Sequence, residues 1–198
     1  LSNNALSQIT HLEVSIGAGV VSNPSISADG TKILFSYKAN TSSETSLYSI
    51  GYDGSGLENI SSTYNLTAQT KNQAYGAFSP DMTKIAFVAE PRAGSPATGK
   101  QLWLQELTGL KRLFQLTFMN GDCQDIQFLD DSHIIFKHKL QYLEDFYLIS
   151  TNGSDLTNLT NNNSIEPYFS RLGRPFLNQA RSSISYAKQT QDTNGYSN

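Results

Sequence analysis

Three histidines, one cysteine and a few adjacent carboxylates are the first groups to weigh for acid–base, nucleophilic or metal chemistry. His11, His133 and His138 form neither a His-x-x-x-His nor a His-Glu-x-x-His spacing, so a zinc centre lacks its ligands. His133 and His138 flank a strand centred on Ile135, and the strand period of two sends them to opposite faces. Cys123 has no partner for an internal disulfide and reads as a small hydrophobe in or near a loop. Asp130-Asp131 and Glu144-Asp145 offer paired carboxylates, but adjacent strand residues diverge and each pair lies beside a turn, where capping accounts for them. Asp53-Gly54-Ser55-Gly56 lacks the Gly-x-Ser-x-Gly elbow that strains a nucleophilic serine, and reads as a hairpin turn. No catalytic residue, metal site or cofactor is expected, and the chain reads as a non-enzyme.

The elements that would position any site follow from a repeat. Pro24–Phe35, Gly76–Phe87 and Ile126–Phe136 each run from a short apolar strand through an Asp-centred turn into a strand ending in Phe. Phe35, Phe87 and Phe136 recur 52 and 49 residues apart (87 − 35 and 136 − 87), slightly longer than the about 40–45 residues of a WD-type blade. Asp29-Gly30 supplies a capping carboxylate and a residue free to take positive φ, and Pro80-Asp81 pre-sets the first turn position. Third strands follow from Ser46, Leu102 and Phe146, then the turns Asp53-Gly54, Thr108-Gly109 and Asn152-Gly153, then fourth strands in LENIS, KRLFQLT and DLTNLT. Four hairpin-linked strands per repeat make a blade, which buries its faces only against other blades. Ile26, Phe78 and Phe128 are therefore expected in matching buried places.

Both ends fit this scheme. ALSQIT at 5–10 resembles a fourth strand and would serve as the outer strand of some blade. Pro167–Ser170 reads as a fourth first strand and ISYAK from Ile184 as its second strand, with RLGRPFLNQARSS as a long basic excursion between them. The whole of 1–198 is read as one domain with blades at about 12–61, 72–117, 122–160 and 165–198. Hydrophobic residues at 38%, charged residues at 16% and abundant Ser, Thr, Asn, Gln and Gly suit strands joined by turns.

The net charge is −3 and the fourteen Lys and Arg are dispersed, so no basic stripe exists for a phosphate backbone and nucleic acid is not expected as a partner. No apolar run nears the roughly 20 residues of a transmembrane helix, and the N-terminus shows no signal-peptide zoning.

The wording Ser-x-Asp-Gly-x-Lys-Ile-x-Phe at 27–35, Phe-Ser-Pro-Asp-x-x-Lys-Ile-Ala-Phe at 78–87 and Leu-Thr-Asn-Leu-Thr at 156–160 resembles the TolB-like (WD-type) β-propeller repeat family. The resemblance implies an all-β propeller of four-stranded antiparallel blades, of which about four are present here. It also implies a periplasmic, secreted or cell-surface setting and a non-catalytic module that binds protein or peptide partners on one face or in the central channel. Such a chain is a piece of a larger ring, a unit that self-associates through open blade edges, or a small four-bladed ring. The alternative is the propeller portion of a larger enzyme, either a prolyl-oligopeptidase-like peptidase or a propeller sugar lyase.

In that geometry the inner strands line the channel. Asn23, Tyr75, Asp125 and Glu166 stand just before the four inner strands, where they either ring a channel mouth or only satisfy strand-end amides. The loops carrying Arg92 and Lys100, and His138, Lys139, Gln141 and Tyr142, are the longest and most varied on that face. Tyr142 is a candidate aromatic anchor, while Trp103, in an apolar strand, reads as core.

Overall fold

The computed structural model describes residues 9, 17–92, 96–161, 169–178, 180 and 183–191. Strands β1 (Gly19–Ile26), β2 (Lys32–Ala39), β3 (Ser46–Gly51) and β4 (Glu58–Asn59) form one antiparallel sheet in chain order. So do β5 (Thr70–Phe78), β6 (Lys84–Pro91), β7 (Gln101–Glu106) and β8 (Leu113–Gln115). The third sheet contains β9 (Asp122–Phe128), β10 (His133–Leu140), β11 (Leu143–Ser150) and β12 (Thr157–Asn158). A one-turn helix, α1 (Ile60–Thr63), follows β4.

Local chemistry explains the repetition. In the first hairpin Ser27 Oγ donates to Asp29 Oδ1 (2.6 Å) and accepts from Lys32 N (2.9 Å), while Thr31 N donates to Asp29 Oδ1 (3.0 Å). Ser79, Asp81, Thr83 and Lys84 reproduce the pattern at 2.6, 2.9 and 3.0 Å. Burial raises the Asp81 carboxyl, but hydrogen bonds from Ser79 and Thr83, with Lys84 nearby, outweigh it and hold the pKa at about 2. The fourth strands have their own device: the hydroxyls of Ser61, Thr117 and Thr160 accept the N–H of Leu47, Leu102 and Phe146 at 2.8, 2.9 and 3.0 Å. A side chain thus satisfies the third-strand amide where the short fourth strand ends.

The sheets stack face to face. Leu34, Leu47, Ile60 and Leu66 of the first unit bury against Phe78, Ile85, Phe87 and Trp103 of the second. Ala86, Val88, Leu102 and Leu104 bury against Phe128, Ile134 and Phe136 of the third. Each large side chain so buried contributes about 1.5–3 kcal/mol. Trp103 is core, as expected, with its Nε1–H on Ala89 O at 3.2 Å. Cys123 lies buried at the start of β9 within the second interface, a small hydrophobe beside a loop.

Ile26 departs from the expectation of three matching buried residues. It pairs with Ile33 as Phe78 pairs with Ile85 and Phe128 with Ile134, yet it is 72% exposed, against 8% and 3%. Its register is right, but no sheet of the described residues covers that side of the first unit. Ile9 packs on the same side, against Phe35, Tyr37 and Ile50, as Ile60 packs on the Phe87 side of the second unit. The rest of the outer strand expected at 5–10 lies outside the described residues.

The fourth repeat also differs from its sequence reading. Strands β13 (Phe169–Leu172) and β14 (Phe176–Leu177) together form its inner strand, paired with β16 (Lys188–Gln191) and β15 (Ile184–Ser185). Leu177 pairs with Ile184 and Phe176 with Ser185, the register of Ile26 with Ile33 and Ser25 with Leu34. The inner strand begins at Phe169 and the second strand at Ile184, as expected, but the inner strand continues into the supposed basic excursion, and Asn178 N donates to Ser183 O (3.1 Å), as Ser27 N does to Lys32 O (2.9 Å).

Candidate functional site: the inner-strand bulges

The inner strands β1, β5 and β9 each carry a β-bulge at the same place. Ser22 pairs with Ser36 and Ser25 with Leu34, so Asn23-Pro24 faces the single residue Phe35. Tyr75-Gly76 faces Phe87 and Asp125-Ile126 faces Phe136 in the same way. In the fourth repeat Gly173 N donates to Ala187 O while Phe176 pairs with Ser185, so Arg174-Pro175 faces Tyr186. Bulges re-aim a side chain and bend the strand locally.

Asn23, Tyr75 and Asp125 take φ of 51°, 51° and 46°, a conformation that is unusual for a residue as bulky as tyrosine. These three residues lie inside their strands at the bulges, where the sequence reading placed them just before the strands. The fourth equivalent position belongs to Arg174; Glu166, expected there, lies outside the described residues.

The bulges bring charge together. Asp125 Oδ2 lies 2.8 Å from Lys137 Nζ, and Asp125 Oδ1 lies 3.7 Å from Arg174 Nε. Lys137 Nζ also donates to Leu172 O (3.2 Å) and stands 3.8 Å from Glu144 Oε2, which accepts Leu172 N–H at 2.7 Å. Both backbone groups of Leu172 are thus held by charged side chains of the third sheet. Desolvation, then the neighbouring Asp125 charge, raises the Tyr75 hydroxyl pKa, while Lys137, Arg174 and the Asn23 side chain act against it. The net result is a phenol that keeps its proton. The bulges also stitch neighbouring units: Ser25 Oγ donates to Gly76 O (2.6 Å) and Gln127 Nε2 to Pro175 O (2.5 Å). Beside them opens a cavity of about 490 Å³ with Pro24, Ile26, Phe78, Phe128, Phe176 and Leu177 in its wall.

The other candidates lie elsewhere. Arg92 binds Glu44 Oε2 (2.6 Å) and Thr67 O (2.5 Å), tying the second unit to the first. Lys100 N donates to Asp122 Oδ1 (2.8 Å) and its carbonyl accepts from Cys123 N (2.8 Å), joining the second unit to the third. Tyr142 is 73% exposed at the β10–β11 turn, beside Gln141. His138 is buried against Tyr147 with Nε2 on Asn120 O (2.8 Å), and burial depresses its pKa.

The groups weighed for catalysis hold structural partners. His133 Nδ1 meets Asp130 at 3.0 Å, Ser55 Oγ donates to Asp53 Oδ1 (2.7 Å), and burial pushes the Cys123 thiol up to about 12. Among the described residues no three His, Cys, Asp or Glu side chains gather as a metal would require, and no helix is long and apolar enough to cross a membrane. Lys137, Glu144 and Arg174 are the site members that sequence reading missed. One signal could have found Arg174: Pro175 precedes Ile184 by nine residues, as Pro24 precedes Ile33.

No family model matches the chain, and no curated protein does. Solved structures do. TolB from Acinetobacter baumannii superposes with a TM-score of 0.59 at 18% identity, over 91% of this chain and 43% of that one. An oligogalacturonate lyase in complex with manganese gives 0.59 at 13% identity, over 89% and 51%. The β-propeller domain of the Trilobed protease from Pyrococcus furiosus, described as having an open velcro topology, gives 0.50 at 14% identity, over 91% and 56%. The fold is a partial β-propeller. The propeller here spans about half the length of the proteins it resembles, and at these identities the likeness establishes the fold alone.

Proposed function

We propose that this propeller is a non-catalytic module that binds an extended segment of a protein or peptide at its axis. The observation that carries the reading is the convergence of Asn23, Tyr75, Asp125 and Arg174, displayed from equivalent bulges beside a cavity whose wall mixes Pro24, Ile26 and Phe176 with Ser25, Gln127 and Asn178. Two amphipathic donors and a carboxylate–guanidinium pair suit the amides and mixed charges of an extended backbone, and Pro24, Ile26 and Phe176 beneath them suit apolar side chains. The resemblance of residues 27–35, 78–87 and 156–160 to TolB-like repeats supports a binding role in a periplasmic, secreted or cell-surface setting.

Selecting extended peptides against the 198-residue chain and mapping them by NMR tests the proposal. Binders are expected to shift the signals of Asn23, Tyr75, Asp125 and Arg174, and to lose at least about tenfold in affinity on Tyr75→Ala and Arg174→Ala. Peptides whose affinity survives both substitutions would refute it.

A second reading, the propeller portion of a larger enzyme, is supported by the likeness to protease and lyase propellers. A hydrolase domain on the same polypeptide would favour it.

A further inference from the structure

The third unit departs from the second at one buried pair of side chains. His138 and Asp145 face each other across β10 and β11, in the places that Ala89 and Gln101 hold across β6 and β7. The Gln101 amide is closed off within the fold: Thr117 Oγ1 and Met119 N donate to its Oε1 (3.0 and 2.9 Å), and its Nε2 donates to Met119 O (2.8 Å). Thr160 Oγ1 donates to Asp145 Oδ1 (2.6 Å) as Thr117 does to Gln101. The third unit thus keeps the arrangement but sets a carboxylate where the second has an amide. Asp145 is 3% exposed and His138 6%.

The histidine is fixed in one tautomer. A carbonyl oxygen only accepts, so Nε2 carries the proton given to Asn120 O (2.8 Å), and the neutral ring keeps its lone pair on Nδ1. Among the described residues nothing bonds to that Nδ1. Burial lowers the His138 pKa and keeps the ring neutral at pH 7, although the Asp145 and Asp122 carboxylates act in the opposite direction. Gly121 lets the entering loop come this close, because a Cβ there would run into Lys139 O and press on His138 Nε2.

These two side chains belong to a cavity of about 310 Å³ that Met119, Leu140, Leu143 and Tyr147 also line. It lies at the seam of the second and third sheets, where Tyr147 and Met119 pack with Leu102, Leu104 and Phe136, so the units on both sides of it are described. Leu140, 45% exposed, brings the cavity to solvent. A buried carboxylate, a ring nitrogen that can only accept and an aromatic ring among aliphatic walls define the occupant. It must bring hydrogen-bond donors and positive charge on an apolar stem, and an anion is repelled.

We propose that this cavity binds an ammonium group carried on an apolar or aromatic stem. The ammonium donates to Asp145 and to His138 Nδ1, while the stem lies along Leu140 and Leu143 and the Tyr147 ring adds cation–π attraction. Free arylalkylamines and the lysine side chains of a partner protein share this chemistry. The seam cavity uses none of the axial residues, so it stands or falls independently of the reading above.

Phenethylamine and N-acetyl-lysine amide, each titrated into the full chain and followed by NMR, are the probes. Saturable binding of at least one is expected, with shifts at Asn120, His138, Asp145 and Tyr147. Tighter binding of phenethylamine assigns the cavity to a free amine, and tighter binding of the lysine derivative assigns it to a protein side chain. Phenethyl alcohol, which keeps the stem without the charge, is expected to bind at least about tenfold more weakly than phenethylamine. Asp145→Asn, which keeps an acceptor for Thr160 and removes the charge, is expected to weaken amine binding at least about tenfold in a chain whose remaining spectrum is unchanged. Binding of neither amine, which is also what a cavity filled by the chain's own residues would give, overturns the proposal. So do equal binding of phenethylamine and its alcohol, and shifts confined to Asn23, Tyr75 and Asp125.

Discussion

Asp125 reaches Lys137 at 2.8 Å because the bulge at Asp125-Ile126 turns its side chain across the sheet toward β10. Both side chains are largely buried, at 14% and 9% exposure, so the pair is costly to separate. Replacing Lys137 with Met leaves Asp125 and Glu144 without their shared cation and removes one of the two grips on Leu172. A loss of about 3 kcal/mol is expected in urea unfolding. A loss below about 0.5 kcal/mol would show that the charges are solvated.

The backbone at Tyr75 inverts a normal preference. Alanine generally suits a strand better than glycine, but the left-handed conformation at φ 51° penalises any residue with a Cβ by about 1–2 kcal/mol. Tyr75→Gly is therefore expected to be more stable than Tyr75→Ala by about 1 kcal/mol in thermal melts. The opposite order would remove the bulge conformation from consideration.

Equivalent positions are expected to respond unequally. Phe128→Ala opens a cavity between the second and third sheets and is expected to cost about 3–5 kcal/mol. Ile26→Ala, at the matching register but 72% exposed, is expected to change stability by less than about 0.5 kcal/mol. Comparable losses at the two positions in denaturant titrations would mean that Ile26 is covered in solution.

The turn carboxylates predict a direction of pH dependence. Asp81 has its pKa lowered from 3.8 to about 2 in the folded chain, so its stabilising contribution is complete above pH 4 and is lost as pH falls from about 4 to 2. The hydrogen bonds of Asp29 to Ser27 and Thr31 lower its pKa as well and add in the same direction. Stability measured between pH 5 and 2 is expected to decline, and Asp81→Ala to flatten part of that decline. An unchanged slope in the variant would assign the acid sensitivity to other groups.

The repeating hairpins were legible because their causes are local. Ser27-Asp29-Thr31 and Ser79-Asp81-Thr83 close their turns through bonds spanning at most five residues, and the hydroxyls of Ser61, Thr117 and Thr160 cap third strands within sixteen. The inner strand of the fourth repeat was read too short because the stretch between Leu177 and Ile184 carries none of the Asp-Gly or Pro-Asp chemistry of the other hairpins, and Pro167 stands in for Pro175 as the apparent match to Pro24.

Lys137 shows where local pattern stops. Between Phe136 and His138 it occupies a strand position that alternation assigns to solvent, and nothing nearby in the chain announces Asp125, Glu144 and Leu172 as its surroundings. Which residues alternate, where the chain turns and which side chains repeat follow from short-range hydrogen bonding and strand periodicity, and could be read from residue order. Which face of each sheet is covered, and which bulged residues meet at the axis, were decided by tertiary stacking. A sheet face is buried only by its neighbour, and the left-handed bulges aim side chains across distances that no run of sequence records.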